Sequence, residues 1–355
     1  MVSSRLTVVK KMSMKYRSLL IAGGAGFIGT NISELALKKG YQVIIFDNFV
    51  RPGVEENAVY LEKLGAKIVR GDVRSIDDLN RLPKINAIIN LAANPGIPWS
   101  MKWPFYDFSI NTLGALNLLE LARKLGNTPV LFASTNKIYS EEINEIPMVE
   151  RKTRYVWKDK KFKGINEEFP MDSAGKYPHS PYGCSKAAAD LYHQEYFHIY
   201  RVPTVVLRMS CIYGLHQKGV EDQGWLWWFV EAKKKNLPLN IYGNGKQVRD
   251  ALFGTDLAEL YLEELENIDK HKGRVYNVGG GPENTVSLLE VIDYLNKKGG
   301  KKLKLKFYPW RPADHRIYIS DITKITSRSK WKPKTTVWQG IDNMWEAPAC
   351  AGRME

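Results

Sequence analysis

Ser18-Leu19-Leu20-Ile21-Ala22-Gly23-Gly24-Ala25-Gly26-Phe27-Ile28-Gly29 is a short apolar run closed by a glycine-rich turn, and the amphipathic stretch Asn31 to Lys39, stopped by Gly40, follows it. Strand, turn and helix are the reading. Gly24, Gly26 and Gly29 match G-x-G-x-x-G, and Gly23, Gly26 and Gly29 also form G-x-x-G-x-x-G. Without Cβ atoms the backbone can turn tightly and let a pyrophosphate approach the N–H groups at the helix start. A plain glycine turn in a helix-covered sheet would carry the same letters, so context decides. Val43 to Phe46 is a second apolar run, and it ends in Asp47, 21 residues beyond Gly26. A carboxylate there accepts hydrogen bonds from a ribose 2′-hydroxyl and repels a 2′-phosphate, which predicts NAD; Arg51 nearby leaves NADP open.

Outward from this unit, strands alternate with helices. Lys67 to Val69 precedes Gly71 and Asp72, Ala87 to Ala92 is a buried run, and Val130 to Ser134 and Thr204 to Arg208 are two more. Between them Asn111 to Leu125 and Pro181 to Tyr200 read as long helices. The pattern predicts an α/β fold, a Rossmann-type doubly wound parallel sheet, with a smaller discontinuous C-terminal substrate-binding lobe. The expected organisation is a leader over 1–17 of no assigned function and a nucleotide-binding domain over 18–208, rejoined by 247–280. The lobe takes 209–246 and 281–345, and a tail covers 346–355. Glu141 to His179 is polar, with few periodic apolar positions, and is expected to border the site.

With 355 residues, 44% apolar and 25% charged, the chain has the make-up of a folded globular protein. Lys plus Arg number 52 against 38 Asp plus Glu, a net charge of +14. The basic residues lie in scattered short runs, such as Lys158 to Lys163 and Lys301 to Lys306, with no basic helix or aromatic RNA-binding signature. Solvated faces and attraction for an anionic substrate account for them better than nucleic acid. Cys184, Cys211 and Cys350 match no zinc or redox spacing and read as reduced thiols, with no metal expected. No apolar run approaches the ~18 residues of a membrane helix, and the leader lacks the continuous apolar stretch of a signal peptide. A cytoplasmic protein without membrane or nucleic-acid partners is expected.

Tyr182 and Lys186 form Y-x-x-x-K, with Ser180-Pro181 as N-cap and first helical residue. Spacing of four puts both on one helix face. A cationic Lys beside a phenol is expected to stabilise the phenolate and lower its pKa from the ordinary ~10. The spacing recurs at Tyr242/Lys246 and Tyr294/Lys298, where a surface Tyr and a solvated Lys suffice. Only the first pair opens a long helix shortly after a strand ending Ala133-Ser134-Thr135, where a hydroxyl can help bind a reacting oxygen.

The glycine motif, Asp47, Gly71-Asp72, Asn90-Leu91-Ala92-Ala93, Asn111, Ser134-Thr135 with Tyr139, Tyr182/Lys186 and Arg249-Asp250 together resemble the extended short-chain dehydrogenase/reductases that modify nucleotide sugars. The resemblance covers about Ser18 to Trp345. Within that family, Ser134-Thr135-Asn136-Lys137, Ser180 to Lys186, Asp222-Gln223-Gly224-Trp225 and Gly243 to Asp250 are similar to stretches of epimerases acting at C2 of CDP-linked sugars. The resemblance implies an isomerase with bound NAD, turning over a nucleotide-diphosphate sugar through a transient 2-keto sugar. It makes Thr135, Tyr182 and Lys186 the catalytic trio. Gly23, Gly26, Phe27, Ile28, Gly29, Asp47, Asn48, Asp72, Val73, Ala92, Ala93 and Asn111 would hold NAD, together with Tyr182 and Lys186. Asn136, Lys137, Cys211, Gln223, Arg249, Arg311 and Asp314 would meet the substrate, the arginines at its diphosphate and Asp314 at the nucleotide ribose. It also implies a homodimer or homotetramer, paired through the helices Asn111 to Leu125 and Pro181 to Tyr200.

Departures from the family pattern sharpen the reading. Dehydratases of the superfamily carry acidic residues after the catalytic Thr, whereas Asn136-Lys137 stand here, so dehydration is disfavoured. Four-position epimerases have an Asn where this chain has Cys211. Ala22 replaces a usual Thr and Ser140 a usual Gly, away from the trio. Two alternatives stay open: a UDP-glucose/UDP-galactose 4-epimerase, and a non-catalytic NAD-binding regulator.

Overall fold

The computed structural model describes residues 16–221, 223–311 and 314–347. Most of the leader, Asp222 and Cys350 lie outside them, as does the tail beyond residue 347. Seven parallel strands form the central sheet, in the order Arg274–Val278, Thr204–Met209, Val130–Thr135, Ala87–Asn90, Ser18–Ala22, Gln42–Asp47 and Lys67–Arg70. Chain order reverses between Ser18–Ala22 and Ala87–Asn90, so a crevice opens there at the carboxyl ends of the strands. Alternation builds the two faces. Leu19, Ile21, Val43, Ile45, Ala87 and Ile89 pack one way, with Ile32, Ala36, Leu257 and Tyr261 of the helices Phe27–Lys38 and Gly254–Glu266. Leu20, Ala22, Ile44, Phe46 and Ile88 pack the other way, against Leu118 and Leu119 of Gly114–Lys124. Each fully buried Leu, Ile or Phe contributes roughly 1.5–3 kcal/mol.

The smaller lobe has its own core, with Leu226, Phe229, Leu239, Ile241, Val291 and Ile341 among its buried residues. Here the structure differs from the expected boundaries. Val248–Phe253 does not return to the central sheet, whose edge is taken by Arg274–Val278 pairing with Thr204–Met209. It pairs instead with Thr285–Ser287, Ile317–Tyr318 and Cys211–Tyr213, and Ala251 and Phe253 bury in the lobe core. The return begins one element later, at Gly254–Glu266. The predicted helix from Asn111 is also broken, by a π-helical turn at Ser109–Leu113 between Pro104–Phe108 and Gly114–Lys124. Glu141 to His179 contains one short antiparallel ladder, Met148–Glu150 with Tyr155–Trp157. It contributes no residue to the main cavity described below but buttresses it: Asn144 Nδ2 donates to the Asp314 carbonyl at 3.2 Å.

Candidate active site

The helix Pro181–Tyr200 begins at Ser180, whose Oγ accepts from the Gly183 N–H at 3.1 Å. A Cβ on Gly183 would stand 2.6 Å from the Lys137 carbonyl, so the helix start is pressed against the turn that follows the strand Val130–Thr135. This contact sets Tyr182 beside Thr135, and a hydrogen bond from Thr135 favours the phenolate. Burial dominates, however, and pushes the phenol up to about 12. The expected cationic help is missing because Lys186 is turned elsewhere. Its Nζ donates to the Ala133 carbonyl at 2.6 Å and lies 4.2 Å from the Phe132 ring centroid. Burial pulls this ammonium down to about 7, opposed by Asp190 and Asp107. The other two Y-x-x-x-K pairs are ion pairs at the surface of the lobe: Lys246 meets Glu150 at 2.6 Å, and Lys298 meets Asp342 at 2.9 Å. A Gly183→Ala variant is expected to lose roughly 1–3 kcal/mol of stability from overpacking, with kcat falling more than KM rises. Thermal melting and steady-state kinetics on one preparation check both.

Two buried carboxylates that sequence reasoning missed hold this helix. Asp107 accepts from Ser185 Oγ at 2.5 Å and from Asn111 Nδ2 at 3.1 Å, while Asn111 Oδ1 accepts from the Asn94 N–H at 2.8 Å. Asn111, expected at the cofactor, therefore fixes the loop after the fourth strand. Asp190 accepts from Ser134 Oγ at 2.6 Å and from Arg208 Nε at 3.0 Å, with its side chain fully buried. The spacing of four from Lys186 to Asp190 was the available signal.

At the glycine turn a Cβ on Gly23 would lie 2.8 Å from the Ala92 nitrogen, and one on Gly29 only 2.6 Å from Gly24. A Cβ on Gly26 would meet the Gly23 carbonyl alone, at 3.2 Å, so the turn is close-packed behind and open at Gly26. The helix it starts has no capping side chain and no acidic residue in its first turn, which suits a pyrophosphate. Asp47 accepts from the N–H groups of Ala25 at 3.1 Å and Phe49 at 3.0 Å; burial raises its pKa and these bonds oppose the rise. Asp72 is drawn down to about 2, chiefly by Arg74, whose Nη2 lies 2.7 Å away, and Asn48 Nδ2 donates to it at 3.1 Å. Val73 is buried against Gly114 and faces the core. The residues fit a dinucleotide, with glycine turn and helix start at its pyrophosphate and Asp47 at its ribose.

Phe27, Ile28, Thr135 and Tyr182 share one cavity of about 710 Å³ with all seven residues expected at the substrate. Burial pulls Lys137 down to about 8, with Asp314 and Glu141 opposing and Arg249 adding to the fall. Arg249 Nη2 is paired with Asp314 Oδ1, and the Arg311 guanidinium carbon lies 3.6 Å from the centroid of the Tyr242 ring. Gln223 Oε1 accepts from Arg51 Nη2 at 2.5 Å, tying the lobe to the segment after Asp47. Cys211 is pushed up to about 12 by burial, so it is a neutral wall residue and no nucleophile. A phenol, a hydroxyl and a lysine at one end, with two arginines in the same chamber, suit proton movement on a diphosphate-bearing substrate.

Comparison with known proteins agrees with this geometry. The NAD dependent epimerase/dehydratase family matches residues 19–279. The CDP-paratose 2-epimerase of Salmonella typhi is 39% identical over 338 residues, spanning 92% of this chain and 98% of that protein. A putative UDP-glucose 4-epimerase of Methanocaldococcus jannaschii is 30% identical over 91% of this chain and 95% of its own length. Among solved structures, the UDP-glucose 4-epimerase of Thermus thermophilus in complex with NAD superposes with a TM-score of 0.75 at 28% identity, over 93% of this chain and all of that one. Among the described residues no helix is long and apolar enough to cross a membrane.

Proposed function

The chain belongs to the NAD-dependent epimerase/dehydratase family, and on that premise we propose that it inverts C2 of a CDP-linked hexose, of the CDP-paratose to CDP-tyvelose type. The carrying observation is the 39% identity to a CDP-paratose 2-epimerase over nearly the whole of both chains. Bound NAD supplies reversible hydride acceptance at the sugar carbon, held by the glycine turn, Asp47 and the Tyr182–Lys186 face. As phenolate, Tyr182 Oη takes the proton of the C2 hydroxyl and later returns it, while Thr135 hydrogen-bonds the same oxygen. Lys186 supplies positive charge to the phenol by turning its ammonium away from the Ala133 carbonyl, where it otherwise rests. Arg249 and Arg311 hold the diphosphate, with Asp314 at the ribose. Asn136 and Lys137 hold the sugar with C2, not C4, toward the cofactor, and its two faces are presented in turn. Exposed Leu113, Leu191 and Ile199 on the long helices support pairing of two copies there.

Proton NMR of the purified protein with CDP-paratose, CDP-glucose, UDP-glucose and UDP-galactose, each without added cofactor, tests the reading. Inversion at C2 of a CDP-sugar is expected; inversion at C4 of a UDP-sugar would establish the rival epimerase instead. Lys137 gives a second test. It is a cation below about 8 and loses its charge as pH rises through that value, so KM is expected to climb above pH 8. Lys137→Met should flatten the climb and lower kcat/KM by ~10-fold, the order expected of a charged hydrogen bond. An unchanged rate and regiochemistry would remove Lys137 from the sugar site.

A further inference from the structure

The wall that the lobe gives to the cavity is rich in acceptors whose orientation is locked. Gln247 is only 4% exposed. Its Nε2 donates to the Tyr242 carbonyl at 2.8 Å, and its Oε1 is buried with no hydrogen-bond partner. The amide cannot turn without losing the first bond, so its orientation is fixed with the oxygen unpaired. Asn240, two residues before Tyr242 and on the same strand face, is held the same way: Nδ2 donates to Glu221 Oε1 at 2.7 Å. A carboxylate can only accept, so Asn240 keeps its NH2 toward Glu221 and its Oδ1 turned away. All three residues line the cavity that holds Tyr182 and Arg249. A buried acceptor without a donor is costly, and a ligand N–H recovers that cost.

We propose that Gln247 Oε1 and Asn240 Oδ1 read the exocyclic amino group of cytosine, and that Glu221 fixes the reading by anchoring the Asn240 amide. Cytosine carries an NH2 donor at C4, where uracil carries a carbonyl acceptor. Two locked acceptors bond the first and repel the second. The proposal rests on the CDP-sugar reading above and adds the residues that select the base. Isothermal titration of the full chain with CDP and with UDP tests it, since the two share ribose and diphosphate. The unaltered protein is expected to bind CDP at least ~10-fold tighter than UDP, the order of two hydrogen bonds gained or lost. Gln247→Met, similar in shape but without the amide, should cut the ratio several-fold through weaker CDP binding. Glu221→Gln lets Asn240 turn and should cut it through tighter UDP binding as well; this partly exposed, isosteric change carries the test if Gln247→Met fails to fold. No preference for CDP in the unaltered protein would overturn the CDP reading and this assignment together. A clear preference that survives both variants, or an equal loss of CDP and UDP affinity, would overturn the assignment alone, the latter pointing to ribose hydroxyls as the donors.

Discussion

A Tyr182→Phe variant is expected to lose about 10³-fold in kcat, within the range of a positioned acid–base group, while binding CDP as the parent does. The argument is one of supply. The phenol is the proton-bearing group beside Thr135 in the cavity, and Lys186, held at the Ala133 carbonyl, is not among the residues lining it. Burial holds the phenol near 12, so it is a neutral donor at pH 7 and an effective base only when positive charge is brought to it. Lys186, four residues on along the same helix and pulled down to about 7, is the group able to bring that charge by leaving the Ala133 carbonyl. Lys186→Met should therefore reproduce much of the loss. Stopped-turnover kinetics alongside CDP titration separate chemistry from binding. Activity within tenfold of the parent would take proton transfer away from Tyr182.

Much of this was legible in the sequence because it depends on local pattern. Ser18 to Gly40 shows strand, turn and helix by apolar spacing and glycines alone, and Asp47 falls at the next strand end where the sheet requires it. Ser180 and Pro181 announced the helix that carries Tyr182 and Lys186. What escaped depends on contacts between distant segments. Asp107 and Asp190 look like ordinary solvated helix residues in the sequence, and only the approach of Ser185, Ser134 and Arg208 shows that both are buried. The Tyr182 shift runs opposite to the expected fall for the same reason. Spacing of four says that Lys186 shares a face with the phenol, but not that its ammonium finds a carbonyl first. Val248–Phe253, expected to rejoin the nucleotide-binding domain with 247–280, pairs within the lobe instead, since a buried strand reads alike in either.

Asp190→Ala should cost about 3–5 kcal/mol of stability, because it leaves the Arg208 guanidinium buried without its partner. Arg208 is bonded at Nε and Nη2 to the two oxygens of Asp190, at 3.0 and 3.1 Å, and its Nη1 donates to Tyr139 Oη at 3.2 Å. Replacing both partners with apolar residues, Asp190→Leu with Arg208→Met, removes the stranded charge and should restore most of the stability. Activity should not follow. Ser134, at the end of the strand that carries Thr135, loses its carboxylate acceptor in either variant, and Lys186 loses one of the two charges that hold its pKa up. The Lys186 ammonium is then given up at lower pH, so the pH above which kcat declines should move down in both variants. Chemical denaturation and a kcat–pH profile read the two consequences separately. Recovery of stability and profile together in the double variant would reduce Asp190 to a structural ion pair; a downward shift that persists in the refolded double variant assigns it to keeping the catalytic lysine charged.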